Sequence, residues 1–367
     1  MCRSARLLCL AALALGAVAM FSAGGCKQAR LLVALPDFVN TPDGMALMPD
    51  SSIILSAPNF NDDKQPAVLV RISPENKASL FYTVPVLQDT GKAGPMGICR
   101  GPSGDLYLCD MQYFNGPGGK PPLLGKSRLL KVVVKDGKPT DLVTVATGFN
   151  VANGVAIHGD YVYVTESVLE EGSNPLASAV LRFKIGEEGV ALKSPLKDDP
   201  HVITTFKSYT RQYLFGADGI AFDSKGNLFV GLFGDGIMFK ITFDKDGNVK
   251  SNAVFAKAPC MACCDGMSCD LRTDKLYVAD SVNNAIQVIS PNGSVKTLAS
   301  NGDVKNKLTG KMDQPCEALV RGNTIVVSNM DWPFPGMKNK KYQMPATLSI
   351  IDLMGKKPKG GAAGLGS

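Results

Sequence analysis

Short apolar runs separated by tight polar turns recur along the chain, and six copies share one arrangement. In each copy a leading residue is followed by an apolar run, a short turn and a second apolar run. The copies begin at Asp43, Met96, Asn153, Asp218, Asp265 and Glu317, and their starts lie 53, 57, 65, 47 and 52 positions apart. A repeat of this length with strand-like runs is typical of a β-propeller that has one blade per copy.

The number of strand candidates predicts how the ring closes. Each of the first five copies continues into two further candidates, which gives the four antiparallel strands usual in a propeller blade. The sixth copy offers three, over 317–320, 324–328 and 347–353, and a spare candidate lies over 30–35. Pairing the spare strand with the sixth blade leaves no exposed sheet edge. We therefore predict an all-β, six-bladed propeller, with an N-terminal strand closing the last blade, as a single domain over 27–354.

Both ends of the chain are predicted to lie outside this domain. Two arginines precede an apolar stretch over 7–21, which is the pattern of a signal peptide, assigned to 1–25. Small residues directly before Cys26 resemble a bacterial lipobox, so Cys26 is the candidate lipidated residue. An ordinary secretory signal cut nearby is the alternative. Either way the mature chain is exported, as a membrane-anchored lipoprotein or as a periplasmic or extracellular protein. The Gly-rich, basic stretch 355–367 is predicted to be a flexible tail.

Composition and charge exclude some partners. The net charge is +6 and charged residues make up 20% of the chain, which is ordinary for a globular protein. No motif that reads DNA or RNA is present. We therefore expect no nucleic-acid partner, and membrane contact only through a lipid on Cys26.

The leading residues of the repeat carry the candidate chemistry. A propeller brings equivalent positions of its blades around one axis, so the oxygen-bearing leading residues are predicted to meet at one mouth. They are Asp43, Asn153, Asp218, Asp265 and Glu317. Carboxylate and amide oxygens suit a hard cation, chiefly Ca²⁺ or Mg²⁺. Four carboxylates around one axis without a cation would repel one another or retain protons.

The two histidines of the chain do not fit a catalytic role. His158 is predicted to lie in a hairpin turn on the opposite face, and His201 at the start of an outer strand. A histidine-based metal site and a Ser-His-Asp triad are therefore disfavoured.

Three long connections are predicted to rim the mouth that holds the acidic positions. They span 111–127, 167–178 and 329–345, and each joins the second and third strands of a blade. Long irregular loops are commonly functional. Trp332 and Phe334 in the third loop would then form an apolar wall, although a loop anchor packed on its own blade is the favoured interpretation of Trp332.

Seven cysteines follow Cys26, and export favours disulfides among them. They are Cys99, Cys109, Cys260, Cys263, Cys264, Cys269 and Cys316. We predict one or two disulfides involving the cluster 260–269. The CxxC spacing in this cluster also suits zinc or an iron–sulfur cluster, but no second matching CxxC supports that interpretation.

Two segments carry a resemblance to a known family. VANGVAIHGDYVYVTES from Val151 and GADGIAFDSKGNLFVGL from Gly216 resemble the third- and fourth-blade motifs of the SMP-30/gluconolactonase/LRE-like family. The first segment also resembles strictosidine-synthase-like and paraoxonase-like propellers. The family resemblance implies a divalent cation at the top of the channel, often Ca²⁺, with Mg²⁺, Mn²⁺ or Zn²⁺ as alternatives, and hydrolysis of lactones or esters. It assigns Asn153 and Asp218 as metal ligands, and Asp218 also as a candidate general base.

The sequence departs from the family at two positions. Asp43 stands where the family usually has Glu, and Met96 stands where an oxygen donor is expected. Glu317 resembles the sixth-blade catalytic Glu of strictosidine synthase and is a second candidate base. The leading hypothesis is a metal-dependent hydrolase of small lactones or esters. The alternatives are a non-enzymatic propeller, with a structural cation, that binds a sugar, peptide or protein, and a strictosidine synthase-like enzyme.

Overall fold

The computed structural model describes residues 26–62, 64–114, 121–210 and 212–354. The predicted signal peptide over 1–25 and the predicted tail over 355–367 lie outside the described residues. Within the described part, no helix has the length and apolar character needed to cross a membrane.

Strands make up nearly all of the regular structure that is described. In chain order they are β1 (Arg30–Ala34), β2 (Met45–Leu47), β3 (Ile53–Ala57), β4 (Val68–Ile72), β5 (Ala78–Thr83), β6 (Pro95–Arg100), β7 (Leu106–Asp110), β8 (Ser127–Lys135), β9 (Lys138–Phe149), β10 (Ala152–His158), β11 (Tyr161–Glu170), β12 (Leu176–Lys184), β13 (Val190–Ala191), β14 (Val202–Ser208), β15 (Ala217–Phe222), β16 (Leu228–Leu232), β17 (Ile237–Phe243), β18 (Val249–Lys257), β19 (Met267–Asp270), β20 (Lys275–Asp280), β21 (Ala285–Ile289), β22 (Val295–Ser300), β23 (Pro315–Arg321), β24 (Thr324–Asn329) and β25 (Thr347–Asp352).

These strands form six antiparallel sheets, one for each copy of the repeat, which confirms the six-bladed propeller. Five blades have four strands from consecutive parts of the chain, and the second blade gains a short parallel fifth strand, β13. The sixth blade has the order β1-β25-β24-β23. The N-terminal strand therefore closes the ring as predicted, because it covers the edge that β25 would otherwise expose.

The Gly that follows each of the first five leading residues lets neighbouring blades touch at the axis. A Cβ atom on Gly44 would lie 2.7 Å from the carbonyl oxygen of Met96, and one on Gly97 would lie 2.5 Å from that of Asn153. Gly154, Gly219 and Gly266 meet the next inner strand in the same way. The repeated Gly is thus required by the close approach of one backbone to the next.

Hydroxyl groups on the second strands join the blades around the ring. Ser56 Oγ donates to the carbonyl of Met96 at 2.5 Å, and Thr165 Oγ1 donates to the carbonyl of Asp218 at 2.7 Å. Ser328 Oγ donates to the carbonyl of Asp43 at 2.6 Å and so links the last blade to the first. Each bond ends on a leading residue of the next blade, so ring closure and the position of these residues depend on each other.

Two expectations from the sequence are wrong in detail. The stretch 167–178 is mostly strand, because β11 runs to Glu170 and β12 starts at Leu176, with Val168 and Leu169 buried between the sheets. The strands extend here because pairing in a longer hairpin lets these apolar side chains pack against the sheets.

The predicted disulfides are also absent, since all eight cysteines of the described chain are unpaired. Within the cluster 260–269, Cys263 packs with Tyr213 in one apolar group and Cys264 packs with Phe229 in another. The two buried thiols are held in different parts of the core.

The contact between inner strands predicts the effect of adding one methyl group. Gly97→Ala should lower the free energy of unfolding by about 1–3 kcal/mol, because the new Cβ has no room beside the Asn153 carbonyl. Gly302→Ala is the matched control, since its Cβ would meet nothing within 4 Å. Urea unfolding of both variants measures the difference, and equal stabilities would contradict the packing described here.

Candidate functional site

The structure brings all five predicted oxygen-bearing positions to one level of the central channel. Asp43, Asn153, Asp218, Asp265 and Glu317 line the inner end of a channel cavity of about 600 Å³. The first four of them also line a cavity of about 50 Å³ on the other side of this level. We call these five residues the carboxylate ring. Met96, the sixth leading residue, lines the smaller cavity and contributes no oxygen.

A bulge in the inner strand turns the ring side chains toward the axis. In the third blade the pairing of β10 with β11 shifts by one residue between Ala152 and Val155, which brackets Asn153. The same shift occurs in the fourth blade between Ala217 and Ile220, which brackets Asp218. A β-bulge bends its strand and re-aims a side chain. The irregularity therefore belongs to the site.

Polar side chains within or just after the second strands fix the backbone that leads into each inner strand. In every blade one carboxylate or amide oxygen accepts a hydrogen bond of 2.6 to 3.1 Å from a backbone N–H of that segment. The acceptors are Asn59, Asp110, Glu166, Asp235, Asp280 and Asn329, and the donors are Asn40, Gly94, Val151, Thr210, Ala262 and Asp313. This repeated contact fixes the position of the backbone that precedes the leading residue of each blade.

Burial is the main reason why the ring carboxyl groups retain protons. It raises the pKa of Asp43 to about 7 and the pKa of Glu317 to about 8. The pKa values of Asp218 and Asp265 are raised well above their ordinary range, first by burial and then by the negative charges of other ring acids. The four groups therefore cannot all ionise near neutral pH without a positive charge among them.

The hydrogen bonds to the ring come from neutral groups. Ser281 Oγ and the N–H of Gly266 donate to Asp265, the latter at 2.9 Å. The N–H of Ala318 donates to Glu317 Oε1 at 2.8 Å. In the described lining of the two cavities, Arg100 and His158 are the basic residues, and both belong to hairpins on the far face. No described cation within the protein neutralises the ring.

The donor chemistry of the ring fits a divalent cation, while its arrangement is not that of a formed metal site. All five residues offer oxygen atoms, which Ca²⁺ and Mg²⁺ prefer. Among the residues that the structure describes, no group of three or more His, Cys, Asp or Glu side chains is placed to hold a metal ion. The ring thus places suitable ligands at one level of the channel, but these ligands do not form a complete coordination site.

An aromatic cluster covers the side of the ring where the loops lie. It consists of Phe60, Phe114, Phe215, Phe233, Trp332 and Phe334, which we call the aromatic cap. Trp332 packs against Phe60, Phe114 and Phe334 with ring centroids 5.0, 4.7 and 5.1 Å apart. Trp332 also lines the small cavity above the ring. Trp332 therefore forms part of an apolar wall with side chains of other blades. It is not a loop anchor packed only on its own blade, which was the favoured interpretation.

Sequence reasoning missed several residues that shape the site. Ser281 donates a hydrogen bond to Asp265, and the Gln314 side chain accepts a hydrogen bond of 2.5 Å from the backbone N–H of Trp332. Phe60, Phe114 and Phe215 are far apart in sequence and form the cap only because the blades close. A Ser directly after the second strand of the fifth blade was a visible signal, whereas nothing in the sequence marked these three Phe residues as part of the cap.

Comparison with known proteins finds solved structures with a similar fold. No family model and no curated protein matches the chain. Among solved structures, a gluconolactonase from Xanthomonas campestris is 11% identical with a TM-score of 0.54, covering 89% of this chain and 95% of its own. The chain has the fold of the gluconolactonase-like six-bladed propellers.

Two further structures show the same architecture. A luciferin-regenerating enzyme matches with a TM-score of 0.58 at 9% identity, covering 89% of this chain and 95% of its own. Regucalcin from Agrobacterium tumefaciens, described as a calcium-binding protein, matches with a TM-score of 0.54 at 10% identity, covering 89% and 93%. At such identities the likeness extends to the gluconolactonase-like fold alone.

The raised pKa values predict how pH affects the metal-free protein. Folded Asp43 keeps its proton up to about pH 7, whereas the unfolded chain releases it near 3.8, so its contribution to stability is lost as pH rises. The loss for Asp43 alone is on the order of 4 kcal/mol. Unfolding in chelator should therefore need less urea at about pH 8 than at about pH 5. Asp43→Asn should flatten this dependence, and a metal-free protein that is as stable at the higher pH would contradict it.

Proposed function

We propose that the protein is a divalent-cation-dependent hydrolase of small lactones or related esters, with the cation, chiefly Ca²⁺, held by the carboxylate ring. The observation that carries this proposal is the burial of four carboxyl groups at one level of the channel with no basic side chain beside them in the described chain. Such a group of carboxyls is costly unless protons or a cation neutralise it. Oxygen ligands on four blades, completed by water and substrate oxygens, suit a cation that accepts six to eight of them.

The ring residues would divide into ligands and a base. Asp43, Asn153, Asp218 and Asp265 line both cavities and would hold the cation, which when bound polarises the substrate carbonyl as a Lewis acid. Glu317 lines only the channel side, and the Ala318 N–H is the hydrogen-bond donor found for its carboxyl. It is therefore the freer carboxylate and the better candidate base, with Asp218 as the second.

Hydrolysis would proceed with the proton carried by this carboxylate. Ionised Glu317 takes a proton from a water molecule as the water oxygen bonds to the carbonyl carbon. The ester C–O bond of the lactone then breaks, and the leaving alkoxide takes the proton from Glu317. The products are a free acid group and a hydroxyl on one open chain. Positive charge at the ring favours the ionised form of Glu317 that this step requires.

A non-enzymatic propeller with a structural cation is the second candidate. Met96 favours it, because the leading position of the second blade then supplies no oxygen ligand, in contrast to the other five blades. The two candidates agree on the cation and differ on catalysis.

Cation binding is directly testable because the chain has one Trp, and Trp332 lies against the ring. Tb³⁺ bound by the ring should give sensitised emission on excitation of Trp332, and Ca²⁺ should displace it. Asp218→Asn should weaken Tb³⁺ binding about tenfold or more, because a charged ligand is lost. Asp246→Asn removes an exposed carboxylate and is the control. Absence of sensitised emission from the unaltered protein, or equal loss in both variants, would count against the ring as a cation site.

Catalysis needs a separate measurement. With Ca²⁺ present, lactone hydrolysis by Glu317→Gln should fall by about 10²-fold or more, because the variant cannot accept a proton. Glu75→Gln alters an exposed carboxylate and should leave the rate unchanged. A panel of lactones and aryl esters, assayed with and without chelator, supplies the rates. Activity that persists in chelator and in Glu317→Gln would exclude this mechanism, whereas absence of hydrolysis by the unaltered protein across the panel would favour the non-enzymatic candidate.

A further inference from the structure

The two sides of the carboxylate ring differ greatly in free space. On the loop side the aromatic cap leaves about 50 Å³, which is room for an ion or very few water molecules. On the opposite side the channel cavity has about 600 Å³. Sites for small molecules occupy about 300–1,000 Å³. Only the channel side has the volume that a lactone requires.

The aromatic side chains of the cap contact one another, and all of them except Phe233 remain partly exposed. Phe114 lies 5.9 Å from Phe215, and Phe215 lies 6.2 Å from Phe233, by ring centroids. Together with the contacts of Trp332, these link aromatic side chains from four blades. The backbone N–H of Trp332 donates a hydrogen bond to Gln314 Oε1, which fixes the chain that carries this side chain. Aromatic pairs at these distances add stability beyond the area they cover.

The channel cavity reaches the surface at the face formed by the first hairpins. Leu47 and Leu271, which line the cavity, are 37% and 61% exposed. Arg100, His158 and Ser224 line the same outer end and belong to the hairpins of the second, third and fourth blades. The entrance is therefore framed by short hairpins, and the long loops lie on the other side of the ring.

The wall between the entrance and the ring is mostly apolar. Ile98, Val155, Ile220 and Leu319 line it, and the ring acids stand at its inner end. An anionic group would meet the carboxylates without a basic partner in the described inner half of the channel. A neutral molecule with a hydrocarbon body and one carbonyl group matches this lining.

We propose that the substrate reaches and occupies the carboxylate ring from the hairpin face, through the channel, and that it is a neutral lactone or ester. The identity of the substrate rests on the proposed function, whereas the route follows from the two cavities and the cap. On this proposal the aromatic cap lies on the side of the ring away from the entrance, and the substrate does not enter from the loop face.

A labelling experiment tests the route without a cation or a substrate. Asn153→Cys places a thiol on the ring, and methyl methanethiosulfonate, a small neutral reagent, labels it while peptide mass spectrometry follows residue 153. Adding Leu47→Trp and Leu271→Trp at the entrance should slow labelling about fivefold or more, because a narrower entrance lowers the association rate. Exposed Cys260 serves as the internal control and should react equally in all variants.

The matched comparison opens the other side of the ring. Trp332→Ala removes the largest side chain of the cap and should leave the labelling rate of residue 153 unchanged. If this variant accelerates labelling while the two entrance substitutions have no effect, the route proposed here is wrong. Thermal unfolding of each variant verifies that it is folded, and Phe334→Ala replaces Trp332→Ala if the latter is not.

Substrate kinetics separate this inference from the function it extends. The two entrance substitutions should raise KM for a neutral lactone about fivefold or more, with little change in kcat, because they alter access and not the ring. An unchanged KM would refute occupation of the channel by substrate. If the unaltered protein hydrolyses no lactone, the proposed function fails, while the labelling rates still decide the route.

Discussion

The close contact of the inner strands around the axis is the constraint on which the rest of the structure depends. Each blade brings its first strand so near to the next that the position after the leading residue admits Gly, or in the sixth blade Ala318. Hydroxyl groups such as Ser56 and Ser328 then bond to the backbone of the following blade. Closure therefore sets the diameter of the channel and the spacing of the ring residues together.

This closure creates an electrostatic conflict at the centre. It buries Asp43, Asp218, Asp265 and Glu317 where each disfavours the ionisation of the others, and the described partners that soften the conflict are neutral donors. A structure optimised for stability alone would place apolar or amide side chains there. Retaining four acids costs folding free energy, which for Asp43 grows as pH rises from 3.8 to about 7, and a bound cation would recover it. The ring thus lowers the free energy of unfolding of the metal-free protein and supplies the ligands for a cation.

The fold was predictable because it repeats, and the site was predictable as far as it repeats. Leading residues and strand spacing recur six times, so the six blades and the gathering of the ring followed from the sequence. Loop-borne features do not recur. The aromatic cap draws Phe60, Phe215 and Trp332 from distant segments, and no local pattern marks their contact. For the same reason the sequence predicted long loops around the ring but did not show that aromatic side chains fill most of the space between them.

The cysteines show a similar limit. Their spacing over 260–269 suggested cross-links, yet the segment between β18 and β19 places Cys263 and Cys264 in separate apolar groups. Spacing along a chain does not determine which part of the core a side chain enters. The packing of distant segments such as those of Tyr213 and Phe229 determines it.

Anomalous diffraction from crystals grown with Tb³⁺ tests the central claim most directly, because it locates the cation without reference to activity. The account predicts one strong peak on the propeller axis, within coordination distance of oxygen atoms from Asp43, Asn153, Asp218 and Asp265. A peak at another place, or a ring that stays protonated and free of metal in the presence of Tb³⁺, would contradict it.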